Sequence, residues 1–225
     1  MQLTDTSVYL KEEQTMWNDI PPVWQTAFSE MWKSFCAGSP PIGAALCDAD
    51  GKVILYDHNR NNEPQTSNKR ISHAEVNILS RLDTSVFNSR TLTLYSTMEP
   101  CPMCMGTILM TSLKEVHSAA RDNYCGMAHL LESDPYYRSK NIGCTFEGGE
   151  LELVQLTVQS YFELRHVENG ASPKVLEKFA EYCPEAAETA KRLYKTKWLD
   201  EAVETGKDMS EVFDHIIAEI SKDSK

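Results

Sequence analysis

A histidine and two cysteines with metal-binding chemistry occur in two short segments of this 225-residue chain. The first segment is His73-Ala74-Glu75, and the second is Pro100-Cys101-Pro102-Met103-Cys104. Imidazole nitrogen and thiolate sulfur are donors that suit zinc. Three protein ligands leave the fourth tetrahedral position open, which is typical of catalytic rather than structural zinc sites. We therefore interpret the histidine and the two cysteines as zinc ligands, and Glu75 as a carboxylate that moves protons.

A C-x-x-C pair on its own is also compatible with a redox pair or with half of a structural zinc site. The His-x-Glu segment upstream and the proline before the first cysteine favour a catalytic metal site. The chain has seven cysteines, and this odd, scattered set does not form a recognisable disulfide framework. The other five are interpreted as small buried side chains: Cys36, Cys47, Cys125, Cys144 and Cys183.

The elements that must position these residues follow from periodicity and turn signals. Pro21-Pro22 starts a segment of apolar residues at helical spacing that ends at Gly38. Two apolar stretches flank Asp50-Gly51, which predicts a hairpin. Strands are expected at 91–97 and 114–120, and residues 151–158 are expected to form a last strand or a strand that enters a helix. This alternation of strands and helices predicts a three-layer α/β domain over residues 20–168.

Both metal-binding segments are predicted to open helices. For the first helix, Ser72 is expected to be the N-cap, with Glu75 three residues later completing a capping box. Thiolates at the start of the second helix would lie beside the positive end of its dipole and near free backbone N–H groups. Both effects favour the deprotonated form of cysteine that binds metal.

The composition changes after Asn169-Gly170, and the remainder has a helical pattern. One helix is predicted to start near Pro173 and a second to extend from Pro184 to Gly206. A third begins at a capping box of Asp208 and Glu211. We therefore divide the chain into an N-terminal segment (1–19), an α/β domain (20–168) and a C-terminal helical extension (169–225).

Charge and composition restrict the partners. The formal net charge of −11 argues against a large polyanionic substrate, which usually requires a basic patch. No apolar segment is long enough to span a membrane. The first residues lack the basic start and the apolar stretch of a secretory signal, so a cytoplasmic protein is expected.

Five motifs together resemble the cytidine-deaminase-like superfamily, over roughly residues 20–165. Within it, the chain is most similar to the branch of tRNA adenosine deaminases, guanine deaminases and nucleoside deaminases. The resemblance implies a central mixed five-stranded sheet between helices, and homodimers. The motifs are Pro41-Ile42-Gly43-Ala44, His58-Asn59-Arg60, His73-Ala74-Glu75, Glu99-Pro100-Cys101-Pro102-Met103-Cys104 and Ala120-Arg121-Asp122.

The resemblance also implies roles for single residues. It makes His73, Cys101 and Cys104 the ligands of a Zn²⁺ ion and Glu75 the proton shuttle of a hydrolytic deamination. Asn59 corresponds to an Asn that holds the substrate in this branch, Asp122 falls in a substrate-facing segment, and the backbone at Ala74 helps to orient the base. The loop between Asn59 and His73 is longer than usual for the branch, and the helical extension has no counterpart in it.

The expected activity is zinc-dependent deamination of a free nucleobase or nucleoside, with a slight preference for purines of the guanine, guanosine or adenosine type. A tRNA wobble-adenosine deaminase is the first alternative, favoured by Ala120-Arg121-Asp122 and opposed by the acidic balance of the chain. A non-catalytic zinc scaffold that uses the helical extension is the second. An intact Glu75 argues against it, because a scaffold has no need of a proton shuttle.

Overall fold

The apolar segments around Asp50-Gly51 form the predicted hairpin in the computed structural model, which describes residues 15–222. Strands β1 (Gly43–Cys47) and β2 (Val53–His58) pair antiparallel. Gly51 has φ +79° in the turn between them, a conformation that glycine adopts without a steric penalty. Residues 1–14 of the predicted N-terminal segment lie outside the described part of the chain.

Three more strands complete a mixed sheet: β3 (Thr93–Met98), β4 (Glu115–Ala120) and β5 (Gly143–Phe146). The spatial order is β2-β1-β3-β4-β5, in which β1 is antiparallel to both neighbours and β3, β4 and β5 are parallel. The predicted five-stranded sheet is therefore confirmed. Because only β1 runs in the opposite direction, the carboxyl ends of the other four strands lie at one edge of the sheet. The start of β1 joins them there.

Helices cover both faces of the sheet, as predicted. Helices α2 (Ala74–Leu79) and α3 (Pro102–Thr111) share a buried apolar cluster with Ala44, Leu94 and Val116 on one face. Helices α1 (Pro22–Cys36) and α6 (Gly149–Glu168) pack on the other face, against Ala45 and Ala119. Short helices α4 (Leu130–Ser133) and α5 (Pro135–Arg138) precede β5. The three-layer arrangement places the two motif-bearing helices side by side.

The prediction of a strand at 151–158 is wrong, because these residues belong to the 20-residue helix α6. The segment is rich in leucine and valine, which favours a strand. Its polar residues Gln155 and Thr157 are fully buried as well. Between Val154 and Phe162 the helix is buried on all sides, so it lacks the polar stripe from which its period could be recognised.

Four helices follow: α7 (Lys174–Tyr182), α8 (Pro184–Thr196), α9 (Trp198–Glu204) and α10 (Met209–Ile220). The single helix predicted from Pro184 to Gly206 is two helices, because Lys197 adopts φ +55° and interrupts it. No glycine or proline in the sequence signals this break. None of the helices within residues 15–222 is long and apolar enough to cross a membrane.

The helices after residue 168 share a core with the α/β domain. Phe213 of α10 is fully buried and packs edge-to-face on Phe28 of α1, with ring centroids 5.9 Å apart. Tyr161 of α6 donates a hydrogen bond to Asp200 of α9 at 2.7 Å. The division at residues 168 and 169 stays a prediction, and these contacts indicate that the helical extension unfolds together with the domain.

Candidate zinc site

The starts of α2 and α3 hold the predicted metal ligands. His73 is the N-cap of α2 and Cys101 is the N-cap of α3, and neither cap position makes a side-chain capping hydrogen bond. Pro102 occupies the first position of α3, where its fixed φ suits a helix and its missing N–H costs nothing. The N-cap side chains are therefore free to face each other at the sheet edge.

The prediction that Ser72 caps α2 is wrong. Its hydroxyl donates to Asn77 Oδ1 at 3.0 Å, and the cap position is one residue later, at His73. Glu75 does not bond back to the start of the helix and instead is buried below it, with 2% of its surface exposed.

The three candidate ligand atoms fit one zinc ion. Cys101 Sγ lies 3.6 Å from His73 Nδ1, Cys104 Sγ lies 3.5 Å from the same nitrogen, and the two sulfurs are 3.6 Å apart. Tetrahedral zinc, with bonds of about 2.3 Å to sulfur and about 2.0–2.1 Å to nitrogen, separates two sulfurs by about 3.8 Å and sulfur from nitrogen by about 3.6 Å. The donor set and its spacing therefore match a zinc site with one open position.

Glu75 lies at this site without belonging to the ligand triad. Its Oε2 is 3.3 Å from Cys104 Sγ, and its Oε1 accepts a hydrogen bond from Ser96 of β3 at 3.2 Å. Burial raises the pKa of the Glu75 carboxyl. A raised carboxyl pKa brings the group closer to the range in which it can both take up and release a proton near neutral pH.

The two cysteines differ in their affinity for protons. The hydrogen bond between the two sulfurs lowers the pKa of Cys101 to about 4 and raises the pKa of Cys104. Zinc is bound by thiolates, so metal binding must displace the proton of Cys104, and the affinity for zinc will rise with pH.

Glu99 has a structural role that the sequence did not indicate. Its two carboxylate oxygens accept hydrogen bonds from the backbone N–H groups of Asp122 (3.2 Å) and Ala128 (3.0 Å). Gly126 packs so closely on it that a Cβ there would be 2.4 Å from Glu99 Cδ. Glu99 thereby fixes the segment after β4 beside the turn that carries the first zinc cysteine.

Asn59 lies next to the metal-bearing segment, at the end of β2. Its backbone N–H donates to Ile42 at 2.9 Å, and its Oδ1 accepts from the N–H of Asn61 at 2.9 Å. The neighbouring Arg60 N–H donates to Ser72, the residue before His73, at 2.8 Å. Within residues 15–222, Asn59 Nδ2 has no hydrogen-bond acceptor. Its proposed contact with substrate stays a prediction, and this amide is the donor it has available.

Ala74 supplies a backbone donor in the same place. It is the first residue of α2, so its N–H has no acceptor within the helix. No other acceptor for this N–H occurs in the described part of the chain. The predicted backbone contact to substrate stays a prediction.

Asp122 holds its own loop together. Its Oδ1 accepts from the N–H groups of Tyr124 (2.9 Å) and Cys125 (3.0 Å), and its Oδ2 accepts from the Cys125 thiol at 3.1 Å. Both oxygens are therefore engaged in the turn after β4. A contact between Asp122 and substrate stays a prediction, and this side chain already has a local structural role.

Comparisons with known proteins agree with this geometry. A family model for the cytidine and deoxycytidylate deaminase zinc-binding region matches residues 20–120. A cytosine deaminase of Candida albicans is 31% identical over 110 residues, which are 48% of this chain and 70% of that protein. A tRNA-specific adenosine deaminase of Bacillus subtilis is 30% identical over 131 residues, which are 57% of this chain and 70% of that protein.

Among solved structures, a guanine deaminase from Nitrosomonas europaea aligns with 63% of this chain and 83% of its own, at 18% identity and a TM-score of 0.48. The segment matched by the family model contains both metal-binding motifs and the strands β1 to β4 that bring them together. The chain therefore belongs to the family defined by the cytidine and deoxycytidylate deaminase zinc-binding region, whose members are zinc-dependent hydrolytic deaminases.

Proposed function

We propose that the protein deaminates a free nucleobase or nucleoside hydrolytically, with purines of the guanine, guanosine or adenosine type slightly preferred, and releases ammonia. The observation that carries this proposal is the meeting of three ligand atoms 3.5–3.6 Å apart with a buried carboxylate that is not a ligand. A structural zinc site would add a fourth protein ligand and would have no use for that carboxylate.

In this proposal His73, Cys101 and Cys104 hold the zinc ion. A bound zinc ion supplies a Lewis acid that lowers the pKa of a coordinated water towards about 7. Glu75 takes a proton from the nucleophile and returns protons to a ring nitrogen and to the departing amine, as general base and then general acid. Its burial and its hydrogen bond from Ser96 hold the carboxylate on one side of the site.

The remaining groups orient the base. Asn59 Nδ2 and the Ala74 N–H are two donors at the same sheet edge, and both would bind acceptor atoms on the edge of a purine. The family relatives act on different substrates, a cytosine deaminase and tRNA-specific adenosine deaminases among them. The slight preference for a purine therefore depends on the Glu99-Pro100-Cys101-Pro102-Met103-Cys104 motif and on the acidic balance of the chain.

The charge of the chain favours a small, uncharged substrate over tRNA. The net charge is −11, and an acidic protein repels the phosphates of a polynucleotide. A tRNA wobble-adenosine deaminase, the first alternative, would need a basic surface at the site.

The decisive experiment is an ammonia-release assay over guanine, adenine, cytosine, their nucleosides and their 5′-monophosphates. The Glu75→Ala protein is the blank, because it should keep zinc and lose turnover. We expect release from at least one base or nucleoside and none from the monophosphates. Turnover in Glu75→Ala equal to that of the wild type would remove Glu75 from its role.

A binding assay separates the tRNA alternative. We expect weak association with tRNA at moderate salt, because few phosphates can be neutralised. Tight binding whose affinity falls steeply with salt, together with deamination of the tRNA and of none of the small substrates, would favour that alternative.

A further inference from the structure

A second histidine, His58, lies in a buried ionic cluster beside the site and contacts none of the three candidate zinc ligands. Its Nδ1 is 2.8 Å from Glu30 Oε2 of α1, and its Nε2 is 2.7 Å from Glu63 Oε1 in the loop after β2. His58, Glu30 and Glu63 are 8%, 4% and 7% exposed. The imidazole thus joins a helix of the core to the long loop between Asn59 and His73.

Only a protonated ring can make both contacts as a donor, because neutral imidazole has one N–H. Burial by itself favours the neutral ring, but the hydrogen bonds to Glu30 and Glu63 outweigh it and raise the pKa of His58. The pKa of Glu30 is lowered, because hydrogen bonds from His58 and Lys33 outweigh the effect of its burial. The three side chains therefore form a carboxylate–imidazolium–carboxylate bridge.

The charges around this bridge balance without a metal ion. Donor atoms of Glu30, Asp57 and His58 lie within 4.8 Å of one another, a spacing that would also suit a cation. Asp57, however, already binds two guanidinium groups, from Arg60 at 2.8 Å and Arg81 at 2.7 Å. The groups that face His58 are carboxylates and cations in similar number: Glu30, Asp57 and Glu63 with Lys33, Arg60 and Arg81. The proton on His58 is therefore held by the hydrogen bonds to Glu30 and Glu63, and not by an excess of negative charge.

The bridge fixes the loop that connects Asn59 to the zinc histidine. At the near end, the His58 carbonyl accepts from Asn77 Nδ2 of α2 at 2.9 Å. At the far end, Ser72 is held by Arg60 N–H at 2.8 Å, and its own N–H donates to Asn61 Oδ1 at 3.1 Å. Between these ends, the loop is attached at Glu63 through His58, and at the neighbouring Asn62, which donates hydrogen bonds to Ser39 and Gly38 after α1.

We propose that protonated His58 is a positioning residue that holds Asn59 and the 60–72 loop in their substrate-binding arrangement. The proposal rests on the proposed function, in which Asn59 contacts the substrate. When His58 loses its proton, the ring can donate to only one carboxylate. Glu63 is then released rather than Glu30, because Glu30 is part of a helix and Glu63 is part of a loop. Substrate affinity falls as a result.

The direction of the pH effect follows from the two pKa shifts. The bridge is complete below the ordinary pKa of histidine and is lost as the pH rises through the raised pKa of His58. At acidic pH, Glu30 stays charged because its pKa is lowered. The bridge is therefore lost only when the pH falls through the lowered pKa of Glu30. KM should therefore rise as the pH increases through the pKa of His58. This rise in KM should be independent of any change of kcat with pH.

The test is steady-state kinetics from about pH 6 to about pH 9 on zinc-loaded protein, since histidine titrates in this range. The variants are Glu63→Gln and His58→Gln. Glu63→Gln keeps an acceptor and removes a charge, so the alkaline rise in KM should move down by ~1 pH unit. In His58→Gln, KM should be independent of pH and about tenfold higher than in the wild type, because one charged hydrogen bond is lost. In both variants kcat should stay within about twofold of the wild type, because a positioning residue affects binding rather than the chemical step.

The chain offers a matched control at His117 on β4. This ring also lies between two carboxylates, Glu147 Oε1 at 2.8 Å and Glu115 Oε1 at 3.2 Å, but in a half-buried position on strand β4. Glu147→Gln removes a similar bridge and should leave the KM profile unchanged. Equal effects of Glu63→Gln and Glu147→Gln on KM would overturn the proposal.

A measurement without substrate separates this proposal from the proposed function. Amide hydrogen exchange of residues 60–72 should be faster in Glu63→Gln than in the wild type. In the wild type, exchange of these residues should also increase at high pH by more than the intrinsic base catalysis of exchange accounts for. If no substrate is turned over but this exchange pattern holds, the proposed function fails and the bridge stands. Identical protection factors in both proteins at every pH would show that the His58 bridge does not hold the loop.

Discussion

Helices α2 and α10 begin with similar sequences, and only α10 uses its own as a cap. Ser72-His73-Ala74-Glu75 and Asp208-Met209-Ser210-Glu211 both predict a capping box. In α10 the Asp208 carboxylate accepts from Ser210 N–H (2.9 Å) and Glu211 N–H (3.1 Å), and Asp208 N–H donates to Glu211 (3.2 Å). In α2 the corresponding Glu75 turns into the protein interior instead.

The difference follows from what each helix start has to do. The start of α10 is exposed and needs partners for its first N–H groups, and its capping box supplies them. The start of α2 carries a metal ligand at the N-cap, and its Glu lies 3.3 Å from a zinc cysteine. A free N–H at Ala74 and a buried carboxylate cost stability, and both remain available for substrate and protons. Departure from a local rule at such a position is expected of a functional site.

The largest expected effect is the difference in activity between removing Glu75 and removing Glu211. Glu75→Ala should lower kcat by on the order of 10²–10⁴-fold, because the proton transfers lose their carrier. It should not lower the free energy of unfolding, because the substitution removes a buried carboxyl and no cap. Glu211→Ala, at the equivalent position of α10, should leave kcat unchanged. Steady-state kinetics, zinc content and denaturant unfolding of both variants measure the contrast.

If Glu75→Ala lost zinc along with activity, the carboxylate would have to be counted among the groups that hold the metal site together. A fall in kcat for Glu211→Ala comparable to that of Glu75→Ala would remove the distinction between the two helices.

The next effect concerns the core that α10 shares with the α/β domain. Phe213→Ala should lower the free energy of unfolding by ~3–5 kcal/mol, because a fully buried ring leaves a cavity against Phe28 and Trp17. The reduction should appear in one cooperative transition, followed by both far-UV and tryptophan signals. Two separate transitions would show that residues 169–225 unfold as an independent unit.

A smaller effect is expected at the cap of α10. Asp208→Ala should lower the free energy of unfolding by ~1 kcal/mol at neutral pH, the usual contribution of an N-cap. The hydrogen bond from Ser210 lowers the pKa of Asp208. The stabilisation is therefore present above the ordinary carboxyl range and is lost as the pH falls through the lowered pKa. Unfolding of wild type and variant should differ at neutral pH and converge in acid, and a difference that is independent of pH would exclude a charged cap.

The sequence was sufficient for the elements whose signals are local. Helix α1 between its prolines and Gly38, the hairpin at Asp50-Gly51 and the helix opened by Pro102 depend on turn chemistry and apolar periodicity, and all three are confirmed. The zinc chemistry was also predictable, because two short motifs carry all three ligands, and the family match agrees with it.

What could not be predicted depends on contacts between distant segments. The packing of the buried middle of α6 brings Gln155 and Pro41 together, a contact with no local signal. The positive φ of Lys197 is unusual for its residue type and occurs where α8 ends and α9 begins. The role of Glu99 depends on two N–H groups more than 20 residues away. The His58 bridge joins α1 to a loop in the same way.

The smallest expected effect tests whether α2 is uncapped in solution. Ser72→Ala removes one hydrogen bond, from Ser72 Oγ to Asn77 Oδ1, and Asn77 keeps its bonds to the carbonyls of His58 and Ser72. Water can replace the lost partner at this half-buried position. The free energy of unfolding should therefore fall by less than ~0.5 kcal/mol, below the value for Asp208→Ala. Calorimetry of the two variants tests this expectation. A fall of ~1 kcal/mol in the free energy of unfolding of Ser72→Ala would be the value expected for a true N-cap. A loss of that size would mean that α2 obeys the same local rule as α10, and that His73 is not the residue at which the helix begins.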